Sequence, residues 1–131
     1  MINDLQVLTL SAILAWLTLM TASYVRNRGW THAGRRCALG NRDDVPEPTP
    51  LAGRADRAAR NTLENLVLFT ALLAAVHFAG KAGARSELGA NLFFWGRLAY
   101  WPIYLAGIIY ARTVAWAVSI VGLAMVASAM W

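Results

Sequence analysis

Acidic residues are scarce in this chain of 131 residues: seven, against twelve lysines and arginines, for a net charge of +5. Charge of either sign is thin, at 15% of residues, where soluble domains carry roughly 25%. Two long stretches, Leu5–Val25 and Val114–Trp131, have none. With 58% hydrophobic residues, so little charge argues against a soluble domain and for a membrane protein. Cysteine is almost missing. Cys37 stands alone, which excludes an internal disulfide, and no Cys/His pattern suggests zinc. Basic residues are absent before the first apolar run, where Asp4 stands instead; this and its length argue against a cleaved signal peptide. The basic residues sit on loops between hydrophobic helices, which excludes nucleic acid as a partner. Their excess suits anionic lipid head groups or an anionic substrate.

What is there predicts an all-α, integral membrane four-helix bundle occupying residues 1–131 as a single domain. Leu5–Val25 is long enough to cross the hydrocarbon core, which takes about 20 residues. The other spans are expected at about 54–79, 88–110 and 114–131. The intervening loop, about 26–53, ends in "GNRDDVPEPTPLAG", whose three prolines and mixed charge mark a segment outside the membrane. A Gly-rich turn, Ala79–Glu87, joins the second and third spans, and a corner at Ala111, Arg112 and Thr113 joins the third and fourth. There is no internal repeat. The first loop region carries Arg26, Arg28, Arg35, Arg36, Arg42, Arg54, Arg57 and Arg60, and the third connection adds Arg112; the opposite side has Lys81 and Arg85. The positive-inside rule therefore places the first loop and Arg112 in the cytoplasm and both termini outside.

The second span begins with the polar stretch "RADRAARNTLEN". Its apolar part, Leu66–Ala79, is too short to cross alone, so the polar start must be drawn against the membrane. Arg57, Arg60, Asn61 and Glu64 fall at i, i+3, i+4 and i+7 and share one face. Arg97, Tyr100 and Tyr104 share a face of the third span. Antiparallel pairing of these two ladders predicts Arg57 beside Tyr104, Asn61 beside Tyr100 and Glu64 beside Arg97. A Glu64–Arg97 pair reads best as a structural, charge-neutralising contact. Two tyrosines facing an arginine and an amide read best as a site. Arg54 and Arg60 fit either role, and Asp56 is expected to be solvated. Because one small bundle has too little interior to bury these polar faces, a homotrimer is expected, with sites between subunits.

"RADRAARNTLEN", with its Arg-x-x-Arg-Asn-x-x-Glu pattern, resembles the second-helix signature of the membrane-associated proteins in eicosanoid and glutathione metabolism, the MAPEG family. "GRLAYWPIYLAG" followed by "ART" resembles that family's third helix and following corner. The resemblance covers about Arg54 to the C-terminus and is closest to the bacterial, microsomal glutathione transferase-like members, so it implies an inner membrane. It further implies a trimer binding glutathione between subunits near the cytoplasmic face. By this resemblance Arg57, Arg60, Asn61 and Glu64, with Tyr100 and Tyr104, bind the tripeptide. Arg97 pairs with Glu64, and Arg112 is the catalytic arginine near the sulfur. Thr113 stands where some branches have serine. The chain departs at Asn65, where the leukotriene-synthase branch has tyrosine, and by one residue in the Tyr104–Arg112 spacing.

The implied ligand carries two carboxylates, an ammonium and a thiol. Arginine forks bind carboxylates bidentately, and a nearby guanidinium lowers a thiol's pKa and supplies thiolate. A site in a bundle open to lipid would let a hydrophobic electrophile arrive through the bilayer. The expected activity is therefore glutathione transfer to apolar electrophiles, extending to glutathione-dependent reduction of lipid hydroperoxides. A catalytically silent glutathione- or lipid-binding relative is the alternative. A small proton-coupled multidrug exporter fits poorly, since that class requires an unpaired glutamate in the first helix. His77 is expected to be interfacial, Cys37 an ordinary loop residue, and Asp43 and Asp44 part of a solvated turn. Trp16, Trp95, Trp101, Trp116 and Trp131 suit lipid contact or interfacial belts. Pro102 should kink the third span.

Overall fold

The computed structural model describes residues 2–131, and these are all-helical. Five helices follow in order: α1 Asp4–Arg26, α2 His32–Leu39, α3 Pro50–Phe78, α4 Ala84–Ala106 and α5 Ile109–Ser128. Three of them, α1, α3 and α5, are long and apolar enough to cross a membrane. At 23 residues α4 has the length, about 34 Å at 1.5 Å per residue. Its Asn91, Arg97 and string of tyrosines and tryptophans hold its hydropathy below that of the other three. The chain is an integral membrane protein by these spans.

The helix limits follow from local chemistry. Asn3 caps α1 by accepting from the Leu5 N–H at 2.9 Å. Thr31 caps α2 through the Gly34 N–H at 2.9 Å. Thr49 caps α3 through the Ala52 N–H at 3.1 Å, with Pro50 in the first turn, where its missing N–H costs nothing. Three limits differ from expectation. The first loop contains a helix, α2, because Thr31 supplies a cap. Threonine and proline start α3 at residue 50, ahead of the expected 54. The α4–α5 corner lies at Gly107 and Ile108, not at residues 111–113. Gly107 takes φ +78°, the left-handed geometry that ends helices and favours glycine, whereas the apolar run Ile108–Tyr110 had disguised the break. Arg112 therefore sits in the first turn of α5.

α3 is 29 residues long, about 44 Å, well beyond the ~30 Å hydrocarbon core. It can cross and still carry its arginine-rich start outside the apolar layer. The bundle core lies toward the other end, where Val7, Leu14, Leu73, Val76 and Val126 surround Phe69 and Phe93, whose rings stack at 4.3 Å. Below this core a polar knot ties α1, α3 and α4. Asp4 Oδ2 accepts from Ser86 Oγ at 2.9 Å and lies 3.1 Å from His77 Nε2, an ion-pair distance without hydrogen-bond alignment. His77 is thus a partner of a buried carboxylate and not merely interfacial. Asn91 Nδ2 donates to the Ile2 carbonyl at 2.7 Å.

The closest packing is between α4 and α5. A Cβ on Gly122 would stand 2.5 Å from the Gly89 carbonyl oxygen and 2.5 Å from the Phe93 nitrogen; one on Gly96 would stand 2.8 Å from the Ser119 nitrogen. Backbones this close are the small-residue contacts typical of membrane helices, and they set the register of the α4 site residues against Arg112. Gly122→Ala is expected to lower stability by roughly 1–3 kcal/mol or more, as overpacking does, in reversible detergent unfolding. An unchanged midpoint would contradict this seam.

Candidate functional site

The buried stripe of α3 runs through Ala55, Ala58, Thr62, Asn65 and Phe69. Asn61 lies beside that stripe, half-buried, while Arg57, Arg60 and Glu64 are exposed. The four polar residues therefore do not act as one group within a subunit.

Arg57 Nε donates to Tyr104 Oη at 3.2 Å, the contact expected from the antiparallel ladders. The next rung differs. Arg97 Nη1 donates to Asn61 Oδ1 at 2.6 Å, and among the described residues there is no Glu64–Arg97 ion pair. The reason is angular: three residues at about 100° each leave Glu64 about 60° around α3 from Asn61, on the outward side. A ladder counted in turns ignored that rotation. Arg97 is 1% exposed and lies between aromatic faces, 5.3 Å from the Tyr100 centroid and 5.7 Å from that of Phe93. Its Nε and Nη2 have no partner.

Tyr104 joins two arginines. Its hydroxyl meets Arg57, and its ring lies 4.7 Å beneath the Arg112 guanidinium, a cation–π distance. Tyr100 packs edge-on against Tyr104 at 5.3 Å. Asn61, Tyr100, Tyr104, Arg112, Thr113 and Trp116 together line a cleft of about 280 Å³. Four of the sequence-predicted site residues thus converge on one cleft, with Arg57 and Arg97 bonded to its walls. Trp116 is an addition: nothing in its spacing separated it from the lipid-facing tryptophans. Arg112 reaches the cleft from a helix rather than from a loop corner.

Arg60 does not join them. It lines a different groove, between α1 and α3, with Arg26, Arg42 and Asp56. There Asp56 is not simply solvated, since its Oδ2 accepts from Arg26 Nη1 at 3.0 Å. Arg54, open to either role from sequence, is structural: its Nε donates to the Leu105 carbonyl at 2.9 Å, satisfying a C-terminal orphan of α4.

The cleft is cationic without a carboxylate among its lining. Arginines so placed can bind carboxylates or a thiolate, and the tyrosine hydroxyls can donate to an anion or accept from an ammonium. Asn61→Ala removes the hydrogen-bond partner of a buried cation and is expected to cost roughly 1.5–3 kcal/mol in ligand-free unfolding. Exposed Glu64→Gln should stay within about 0.5 kcal/mol. Equal losses, or a larger one at Glu64, would restore the Glu64–Arg97 pairing.

None of the curated proteins compared with the chain matches it. A sequence model of the MAPEG family matches residues 5–130, nearly the whole length and including every element of the cleft. The chain belongs to the MAPEG family.

Proposed function

We propose that this protein is a membrane-bound glutathione transferase whose cleft holds the tripeptide and stabilises its thiolate. The observation that carries the proposal is the imbalance of charge. Arg57, Arg97 and Arg112 surround the cleft, and among the described residues none of them has a carboxylate partner. Arg97 is buried, and a buried cation is costly unless an anion joins it; Arg57 and Arg112 add positive charge at the cleft's more open side. Glutathione brings two carboxylates and, when ionised, a thiolate. Membership of the family is consistent with that ligand.

In this reading the Arg57 fork binds one carboxylate, with Tyr104 Oη setting its orientation, and Asn61 and Tyr100 hold the peptide. Arg112, stacked on the Tyr104 ring, faces the sulfur. Its charge favours thiolate over thiol, so that the proton leaves to water and the sulfur lone pair is available at neutral pH. The sulfur then attacks an electrophilic carbon, a C–S bond forms, and the leaving group departs with its bonding pair. The exposed α5 face beside the cleft, Val114 at 63% and Trp116 at 41%, is where an apolar electrophile dissolved in the bilayer would arrive.

Arg57, Arg60 and Glu64 stand exposed on one subunit, which supports a homotrimer in which a neighbour covers them. Glu64 would take the glutathione ammonium there, and Arg60 would face the adjoining subunit. α4 then completes a four-helix bundle. In this reading the first loop and Arg112 face the cytoplasm from a bacterial inner membrane, and the arginine bias supports that orientation.

Calorimetry and thiolate absorbance test this reading. Arg57→Ala should weaken glutathione binding by roughly 1.5–3 kcal/mol. Arg112→Gln should leave affinity nearly unchanged, yet raise the bound thiol's pKa and slow conjugation of an apolar electrophile. Unchanged affinity in the first variant would make the motif structural. Undiminished ultraviolet thiolate signal at neutral pH in the second would make Arg112 an anchor.

A further inference from the structure

A second groove lies away from the cleft, where the chain leaves α1 and α2 turns back beside it. The turn depends on Gly29, since a Cβ there would stand 2.3 Å from the Tyr24 ring. Tyr24 meets Trp30 edge-on at 6.0 Å. Between the last turns of α1 and α2 is a space of about 590 Å³, walled by Met20, Tyr24, Ala38 and Leu39, with Arg35 as the charged member of its lining. Arg35 Nη1 donates to the Gly29 carbonyl at 3.4 Å, which fixes the side chain at the groove while using one of its five donors.

We propose that this groove binds one anionic phospholipid, its acyl chain along α1 and its phosphate on Arg35. Three observations select that occupant. From Arg26 to Arg42 the chain carries five arginines and no acid, which attracts anionic head groups. Tyr24, Trp30 and Leu39 are exposed at 54%, 56% and 90%, and aromatic and apolar side chains beside arginines at the end of a span belong at the membrane interface. The groove is also amphiphilic in the matching order, because Met20 lies deeper along α1 than Tyr24 and Arg35 lies on α2 beyond it. A free phosphate would leave the apolar walls in water. A zwitterionic lipid would bring a phosphate offset by its own ammonium, leaving the five arginines from Arg26 to Arg42 without net counter-charge. The site is independent of the glutathione reading, because it shares no residue with the cleft.

The test is native mass spectrometry of the full-length protein released from nanodiscs containing phosphatidylcholine and phosphatidylglycerol. The parent should retain phosphatidylglycerol preferentially. Arg35→Gln should lower that retention about fivefold, the ratio equivalent to ~1 kcal/mol per arginine at an anionic surface. Ala38→Trp, which fills the groove and leaves every charge in place, should lower it as well. Arg36→Gln removes the same charge but lines a different cavity, beside Asp43 and Asp44, and should leave retention near the parent's. Equal losses from Arg35→Gln and Arg36→Gln would reduce the effect to diffuse surface charge and overturn the site. Equal retention of the two lipids, or an undisturbed Ala38→Trp, would overturn it too.

Discussion

Arg97 is enclosed by protein, yet only one of its three guanidinium nitrogens has a hydrogen-bond partner, the Asn61 amide oxygen at 2.6 Å. A carboxylate would have been the ordinary neutraliser, and among the described residues none pairs with it. Instead the guanidinium lies against the faces of Phe93 and Tyr100 and donates to Asn61, which lines the cleft. Everything around the cleft is arranged to tolerate that charge. Tyr104 carries a second arginine on its hydroxyl and a third on its ring. Three cations with no carboxylate partner among the described residues suit an anion, and that is the ground on which glutathione is proposed.

Two features of the scaffold make this arrangement possible. The glycines of α4 and α5 bring those backbones close enough that their register cannot slip without collision, so Arg112 is held opposite Tyr104. The extra length of α3 lets Arg54 cap the end of α4 while Arg57 and Asn61 reach the aromatic ladder. At the far end, the Asp4–His77–Ser86 knot ties α1, α3 and α4 together below the apolar core. Packing at one end thereby leaves the other free to be polar.

Much of this was legible in the chain. The uncharged runs announced spans, and the two ladders announced that α3 and α4 meet with Arg57 at Tyr104. Positions turning on angle rather than spacing were not legible. Glu64 and Asn61 are one turn apart in sequence, but the rotation between them decides which one Arg97 touches. The α4–α5 corner was hidden because Ile108–Tyr110 continue the apolar pattern, and only the left-handed conformation of Gly107 ends the helix. The Asp4–His77 contact depends on the chain folding back, which local pattern does not encode, whereas the Thr31 cap of α2 is a local signal.

The central claim is that the cleft recognises an anion through its unpaired arginines. Calorimetry of the purified protein with glutathione and with its diethyl ester, which keeps the ammonium and thiol but lacks both carboxylate charges, tests this directly. Glutathione should bind, and the ester should bind at least about tenfold more weakly, as expected for the loss of charge-assisted hydrogen bonds. Equal affinity for the two, or no binding of glutathione, would contradict the account.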